Sequence, residues 1–289
     1  MVSVVSVVQD VLTEFITNNF SGGEKVTATR REFLNAGAAV GAATVAACAT
    51  PMQADAGNAK VLFAQAPATI PIVGSDMQFQ VRRIYCVGRN YAAHSREMGS
   101  DPTREPPFFF QKPTDAIQVA PPGTTIDHPY PPITKNYHYE VELVAALGKG
   151  GRNVTPEQAL DMVHAYAVGL DMTRRDLQRA MGDEKKPWEV GKSFDRSAVV
   201  SHLHLAQSTG HLVKGAIWLK VNGNTKQQAN LDQMTWNVAE QIANLSRFYE
   251  LFPGDIIYSG TPENVGPVVK GDVMTGHIDG IYDISVKVV

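Results

Sequence analysis

Prolines crowd the stretch between residues 106 and 132: Pro106-Pro107, Pro113, Pro121-Pro122, Pro129 and Pro131-Pro132. Each removes a backbone donor and crowds the preceding turn, so no long helix crosses this region. Strand patterns dominate elsewhere. Tyr282, Ile284, Val286 and Val288 alternate with Asp283, Ser285 and Lys287, the pattern of a half-buried strand. Helix signals are few. Thr155-Pro156-Glu157-Gln158 supplies an N-cap, a first-turn proline and a capping-box glutamine, and Val238, Ile242, Leu245 and Tyr249 recur at 4-3-4 spacing before Pro253-Gly254. No internal repeat is visible. The pattern predicts a β-rich core with a few helices.

Composition removes several classes. The chain has 289 residues, 44% hydrophobic and 19% charged, which suits a soluble globular protein. Its 26 basic and 29 acidic residues give a net charge of −3, so there is no cationic field for nucleic acid or anionic lipid. Two cysteines, Cys48 and Cys86, with no CxxC between them, build neither a disulfide framework nor a zinc knuckle. Cys86 sits in the apolar run Arg83-Ile84-Tyr85-Cys86-Val87, where a buried, inert thiol is expected.

The N-terminus reads separately. Thr29-Arg30-Arg31-Glu32-Phe33-Leu34 precedes an uncharged small-residue run to Thr50, and Ala54-Asp55-Ala56 offers a small-x-small cleavage site. This resembles a twin-arginine export leader over residues 1–56, which would place the protein outside the cytoplasm. The run is too short and too weakly apolar to span a membrane. One feature dissents: the leader is not net basic. Val45-Ala46-Ala47-Cys48 also resembles a lipoprotein cleavage box, the alternative being a lipid anchor at Cys48. Residues 57–80 then read as a linker and a short first strand, and residues 81–289 as the catalytic domain.

Chemistry concentrates in four places. In His138-Tyr139-Glu140-Val141-Glu142-Leu143-Val144 the period of a strand puts Glu140 and Glu142 on one face, roughly 6–7 Å apart. Two such carboxylates repel unless a cation lies between them, and oxygen-only donors point to Mg²⁺, Mn²⁺ or Ca²⁺ rather than zinc. An isolated pair of this kind is more often the polar face of an edge strand. A third acid, Asp171, ends the apolar run Tyr166 to Leu170, where it would serve as a metal ligand or as a helix N-cap. If the segment after Arg89 is helical, His94 and Glu97 share a side at i, i+3, which makes either a general base or an ordinary surface contact. The fourth place holds Lys192 in Gly191-Lys192-Ser193-Phe194-Asp195, and Gly260-Thr261-Pro262 after an apolar strand. That second element is a tight turn able to hold a carboxylate or an oxyanion, or to be merely a turn.

The ordered set GRNYAAHSRE, FFFQKP, YEVEL, GLDMTRRD, KSFD and GTPENVG resembles the fumarylacetoacetate hydrolase family over residues 81–289, in particular its single-domain bacterial members that act on acylpyruvates such as fumarylpyruvate. The resemblance implies a mixed β-sheet sandwich or roll with few helices, a homodimer, and Mg²⁺ or Mn²⁺ held by Glu140, Glu142 and Asp171 with no organic cofactor. It implies base and site-closing roles for His94 and Glu97 and a substrate-polarising role for Lys192. Arg89, Gln111, Lys112, Arg175 and Thr261 match positions that line the site or its shell. Two departures stand out: relatives are mostly cytoplasmic, and Val199-Val200-Ser201-His202 replaces a proline-containing stretch. The implied reaction is hydrolysis of a 2,4-diketo acid to pyruvate and a carboxylic acid. The rivals are a same-fold oxaloacetate decarboxylase or diketo-acid isomerase, and an exported binding protein.

Overall fold

The structure, a computed structural model, describes residues 62–100 and 105–289. The expected leader, with Arg30-Arg31, Cys48 and the cleavage point after Ala56, lies outside the described residues, as does the linker up to residue 61. Gln65–Val289 is one compact unit.

An eight-stranded sheet carries the site. Its path runs Phe108–Lys112, Arg83–Gly88, Asp255–Tyr258, Val141–Leu147, Val163–Asp171, Ala198–Ser201, Ile117–Ala120, with His204–Leu205 also pairing to the fifth of these. The apolar runs of its middle strands have a simple cause, since both faces are covered. Val141, Leu143, Val168 and Leu170 enter a core shared with the helix Val238–Phe248 and a five-stranded sheet. Val144, Ala146, Ala165 and Ala167 enter a second core under the N-terminal segment, with Ile70, Ile72 and Phe79. The five-stranded sheet runs Asn224–Asn230, Ala216–Val221, Val273–Ile278, Ile284–Val288, Thr125–His128. Packed sheets with few helices match the expected mainly β sandwich or roll.

Several local readings hold and several shift. Thr155 and Gln158 form the expected capping box ahead of Pro156–Ala159, and Asn237 with Glu240 forms another ahead of Val238–Phe248. Residues 69–80 hold a two-stranded hairpin, Thr69–Pro71 with Gln78–Gln80, rather than one strand, because Ile70 and Phe79 both have core to bury in. The helix for which Asp171 was a candidate N-cap starts further on, over Arg175–Asp183, with Arg174 in the N-cap position. Its apolar side is poor, and its anchoring is by Arg175 rather than by a hydrophobic stripe. The last strand begins at Ile284, leaving Tyr282 half exposed against His204.

Candidate active site

The strand expected from His138 onward is broken at Glu140. Tyr137–Tyr139 pairs with Thr173–Arg174 and Gly266–Pro267 in a small three-stranded sheet, while Val141–Leu147 belongs to the large one. Glu140 is the corner between them, and its carbonyl accepts the Asp171 N–H at 2.9 Å. On the large sheet Glu142 shares its face with Val144, Asp171 shares the same face with Ala167, and Lys112 follows Phe110 onto it. Alternation along three strands thus delivers Glu142, Asp171 and Lys112 to one end of one face.

The three acids are buried, and each offers an oxygen within 4.8 Å of the others. Three cations face them. Lys192 donates to Glu140 Oε2 at 2.6 Å, Asp171 Oδ2 at 2.8 Å and Thr173 Oγ1 at 2.7 Å. Lys112 Nζ lies 2.8 Å from Asp171 Oδ1 and also donates to the carbonyls of Met172 and Lys192. Arg175 donates to Glu140 Oε1, and its other amino group to Gln178. Burial alone would raise the Glu140 carboxyl, but Lys192 and Arg175 prevail and hold it well below the usual range. Glu142 goes the other way: burial, then Asp171 and Glu140, push it well above the usual range against Lys192 and the Gly260 N–H. Gly260 N–H donates to Glu142 Oε2 at 2.8 Å, and Oε1 has no hydrogen-bond partner among the described residues. Asp171 Oδ1 likewise accepts no well-angled hydrogen bond. Oxygen donors short of protons, converging in a dry site, fit a hard divalent cation.

The His94–Glu97 pair forms as expected. The helix Ala92–Glu97 buries His94, whose Nδ1 meets Glu97 Oε2 at 2.9 Å. The Asn264 N–H, in the loop after Thr261, donates to both Glu97 oxygens at 3.1 Å. Nδ1 is thereby engaged, leaving Nε2 for chemistry. The acids, His94, Arg89, Arg175, Gln178, Lys192, Thr261, Phe110 and Trp188 line one cavity of about 20 Å³, room for one water. A larger groove, about 1160 Å³, runs beside the N-terminal hairpin past Phe79, Arg82 and His164, but it gathers no carboxylates.

Two expected substrate contacts do not reach this cavity. Gln111 points to solvent because it alternates with Phe110 and Lys112; only its carbonyl is engaged, by Ser193 at 2.6 Å. Lys112 is buried behind Asp171 with its donors used within the protein. Lys192 also has all three N–H groups occupied, so a polarising role requires releasing one. The Gly-Thr-Pro turn does hold a carboxylate, but that carboxylate is Glu142. Thr261 Oγ1 donates to the Val141 carbonyl at 2.9 Å and accepts from Gln227 Nε2 at 2.8 Å. Cys86 is fully buried, and burial pushes its thiol well up, as an inert core cysteine requires.

Sequence reasoning missed Thr173, Gln178, Gln227 and Asn264. Thr173 and Gln178 lie within or just after GLDMTRRD and could have been found there, since the strand ends at Asp171 and the chain must turn back over the site. Gln227 is different: its Oε1 accepts the Val141 N–H at 3.0 Å from a strand eighty-odd residues away, and no local signal marks it.

The family follows from this fold and site together with the sequence match. Residues 83–289 match the family described as Fumarylacetoacetate (FAA) hydrolase C-terminal. The chain belongs to that family. It is 47% identical over 188 residues to a fumarylpyruvate hydrolase of Ralstonia sp, covering 65% of this chain and 95% of that protein. It is 40% identical over 207 residues to the mitochondrial oxaloacetate tautomerase FAHD1 of Homo sapiens, covering 72% and 91%. Among solved structures, fumarylpyruvate hydrolase from Pseudomonas aeruginosa, in complex with Mn²⁺ and pyruvate, superposes with a TM-score of 0.79 at 56% identity, covering 80% of this chain and 99% of that one.

Proposed function

We propose that this protein is a metal-dependent hydrolase that cleaves the carbon–carbon bond of a 2,4-diketo acid, an acylpyruvate such as fumarylpyruvate, to pyruvate and a carboxylic acid. The observation that carries the reading is the meeting of Glu140, Glu142 and Asp171 with the His94–Glu97 pair around one small cavity. Similarity to fumarylpyruvate hydrolases at 47% and 56% identity supports the substrate class.

The three acids would hold Mg²⁺ or Mn²⁺, which when bound would supply a fixed positive charge able to stabilise an enolate. His94 Nε2 takes a proton from a water while Glu97, steadied by the Asn264 N–H, holds the imidazole in its tautomer. The water oxygen bonds to the distal carbonyl carbon. The bond from that carbon to the methylene then breaks, and its electron pair leaves with the pyruvyl fragment as an enolate. Lys192, giving up one of its three internal bonds, donates to the enolate oxygen. The proton on His94 returns to the methylene carbon, giving pyruvate, and the acyl carbon leaves as the acid. Arg175 orients Glu140, and Thr261 and Gln227 fix the turn that carries Glu142's N–H partner.

Similarity to oxaloacetate tautomerases supports a second reading, enolisation or decarboxylation without an attacking water. Product analysis with fumarylpyruvate and Mg²⁺ or Mn²⁺ decides: pyruvate plus fumarate supports hydrolysis, whereas no cleavage of acylpyruvates together with turnover of oxaloacetate overturns it. Domain order and setting remain part of the proposal: residues 1–56 as an export leader, then the linker and the catalytic domain, acting as a homodimer outside the cytoplasm. Fractionation with N-terminal mass analysis tests the export step, and protein still starting at Met1 in the cytoplasm defeats it. Sedimentation tests the dimer.

A further inference from the structure

A second cavity adjoins the carboxylate site. It measures about 70 Å³, and its lining includes Gly88, Arg89, Ser95, Glu105, Phe108 and Trp236, so that Arg89 is its one cation and Glu105 its one acid among the described residues. Gly88 and Arg89 line both cavities. Between the two stand aromatic rings: Trp188 lines the inner cavity, Phe108 the outer, and they meet edge to face at 5.2 Å and 79°. Trp188 also abuts Phe110 at 5.9 Å. The register pairs Phe108 with Gly88, and a Cβ on Gly88 would lie 2.0 Å from Phe108 Cζ, so glycine is what lets the ring lie flat against the strand. Phe108 is nevertheless 39% exposed, so its outer edge faces the cavity mouth and solvent.

Arg89 occupies the junction. Its backbone adopts φ +55°, a conformation that is strained for an arginine. Its guanidinium lies 5.8 Å from the centroids of both Phe108 and Trp188. No carboxylate among the described residues forms an ion pair with it, although the inner cations are all paired. An exposed guanidinium held over two rings at a passage, with no carboxylate partner among the described residues, is arranged to meet an anion that arrives.

We propose that the outer cavity is an acyl-tail subsite, that Phe108 and Trp188 form the passage into it, and that Arg89 selects substrates whose tail ends in a carboxylate. The inner cavity holds little more than one water, so the acyl group of an acylpyruvate has to extend past these rings. The ligand class is thus a diketo acid carrying a second, distal carboxylate three to four atoms beyond the cleaved bond. This rests on the hydrolase reading.

The test measures kcat/KM for four substrates in the full-length enzyme with Mn²⁺: fumarylpyruvate, its tail methyl ester, acetylpyruvate and benzoylpyruvate. In the wild type the dianion should lead. Arg89→Met keeps the same backbone requirement and should lower the ratio of fumarylpyruvate to its methyl ester about 10- to 100-fold, chiefly through KM, as loss of one charge-assisted contact does. Arg89→Lys should restore part of the ratio. Phe108→Ala, with Phe108→Leu as the milder variant, should raise the ratio of benzoylpyruvate to acetylpyruvate about tenfold by widening the passage. An unchanged ester ratio in Arg89→Met, or benzoyl discrimination untouched by both Phe108 variants, overturns the subsite. Failure of the wild type to cleave any of these acylpyruvates, fumarylpyruvate included, overturns the hydrolase reading instead, and the subsite with it.

Discussion

Two buried acid sites lie at opposite ends of the same strands, and their surroundings differ in kind. Asp255 opens its strand opposite the far end of Val141–Leu147; Arg82 reaches its two oxygens at 2.9 and 3.1 Å, and the Phe252 N–H donates at 2.9 Å. Both oxygens there have a donor, and among the described residues no cluster of acids includes it. At the other end, Glu142 and Asp171 crowd Glu140, and each of the first two retains an oxygen without a sound hydrogen bond. A satisfied buried acid holds the fold together. A cluster that leaves carboxylate oxygens without donors costs stability and is retained for what it binds.

The largest expected effect separates the two ends by one substitution each. Glu142→Gln should lower turnover at least about 10³-fold, because an amide cannot balance the cation the acids hold. It should also abolish the rise in melting temperature on adding Mn²⁺. Without metal the same variant should be as stable as the wild type or more so, since it relieves carboxylate crowding. Calorimetry of the metal-free protein checks this, and a clear loss of stability there would make Glu142 a structural residue like Asp255.

His94→Ala comes next. It should lose about 10² to 10⁴ in kcat while keeping the Mn²⁺-induced stabilisation, because it removes the base and no ligand. Loss of both together would merge two roles that the geometry keeps apart.

Much of this contrast was legible before the fold was known. Strand period carries Glu142, chain exit from an apolar run carries Asp171, and i, i+3 spacing carries His94 with Glu97, because each depends on residues near one another in sequence. The same local logic failed where the decisive partner is distant. That Lys192's donors are already committed depends on Glu140, Asp171 and Thr173 converging on its helix from a corner and two strands. Gln111 and Lys112 were grouped by adjacency, yet adjacency in a strand guarantees opposite faces. The break at Glu140 was hidden because a corner between two sheets reads as one continuous apolar run. The Arg82–Asp255 pair carries no motif at all.

Asp255→Asn tests the closed end. It should cost about 2 kcal/mol, less than a fully enclosed pair because the Arg82 side chain is 34% exposed. That corresponds to a melting temperature lower by about 4–8 °C in a domain of this size. Turnover at a temperature where the variant is folded should stay within about twofold of the wild type. A large drop in kcat would mean that the two ends of the sheet are mechanically coupled.

The smallest effect at neutral pH concerns a third buried polar group, which behaves like the closed end. His128 is almost fully buried, with Nδ1 at 2.6 Å from Gln118 Oε1 and Nε2 at 2.6 Å from the Tyr137 hydroxyl. The amide oxygen can only accept, so Nδ1 carries the proton and Nε2 accepts from Tyr137: the neutral ring is fully satisfied. Burial, with Arg196 adding to it, lowers the imidazole to about 4. A depressed histidine contributes stability that is present above its unfolded value of about 6.5 and is lost as the pH falls toward 4, because the unfolded chain then binds the extra proton. The loss over that window is roughly 3 kcal/mol. His138, also lowered to about 4 by burial and by Arg175, adds a similar limb in the same window. His128→Gln should cost about 1 kcal/mol at pH 7, by weakening two hydrogen bonds. It should escape His128's share of the acid limb but not His138's. The stability curves of variant and wild type should therefore cross between about pH 5 and 6, with the variant the more stable below. Denaturant unfolding at half-unit pH steps measures it, and parallel curves would show that His128 takes up its proton at the same pH folded as unfolded.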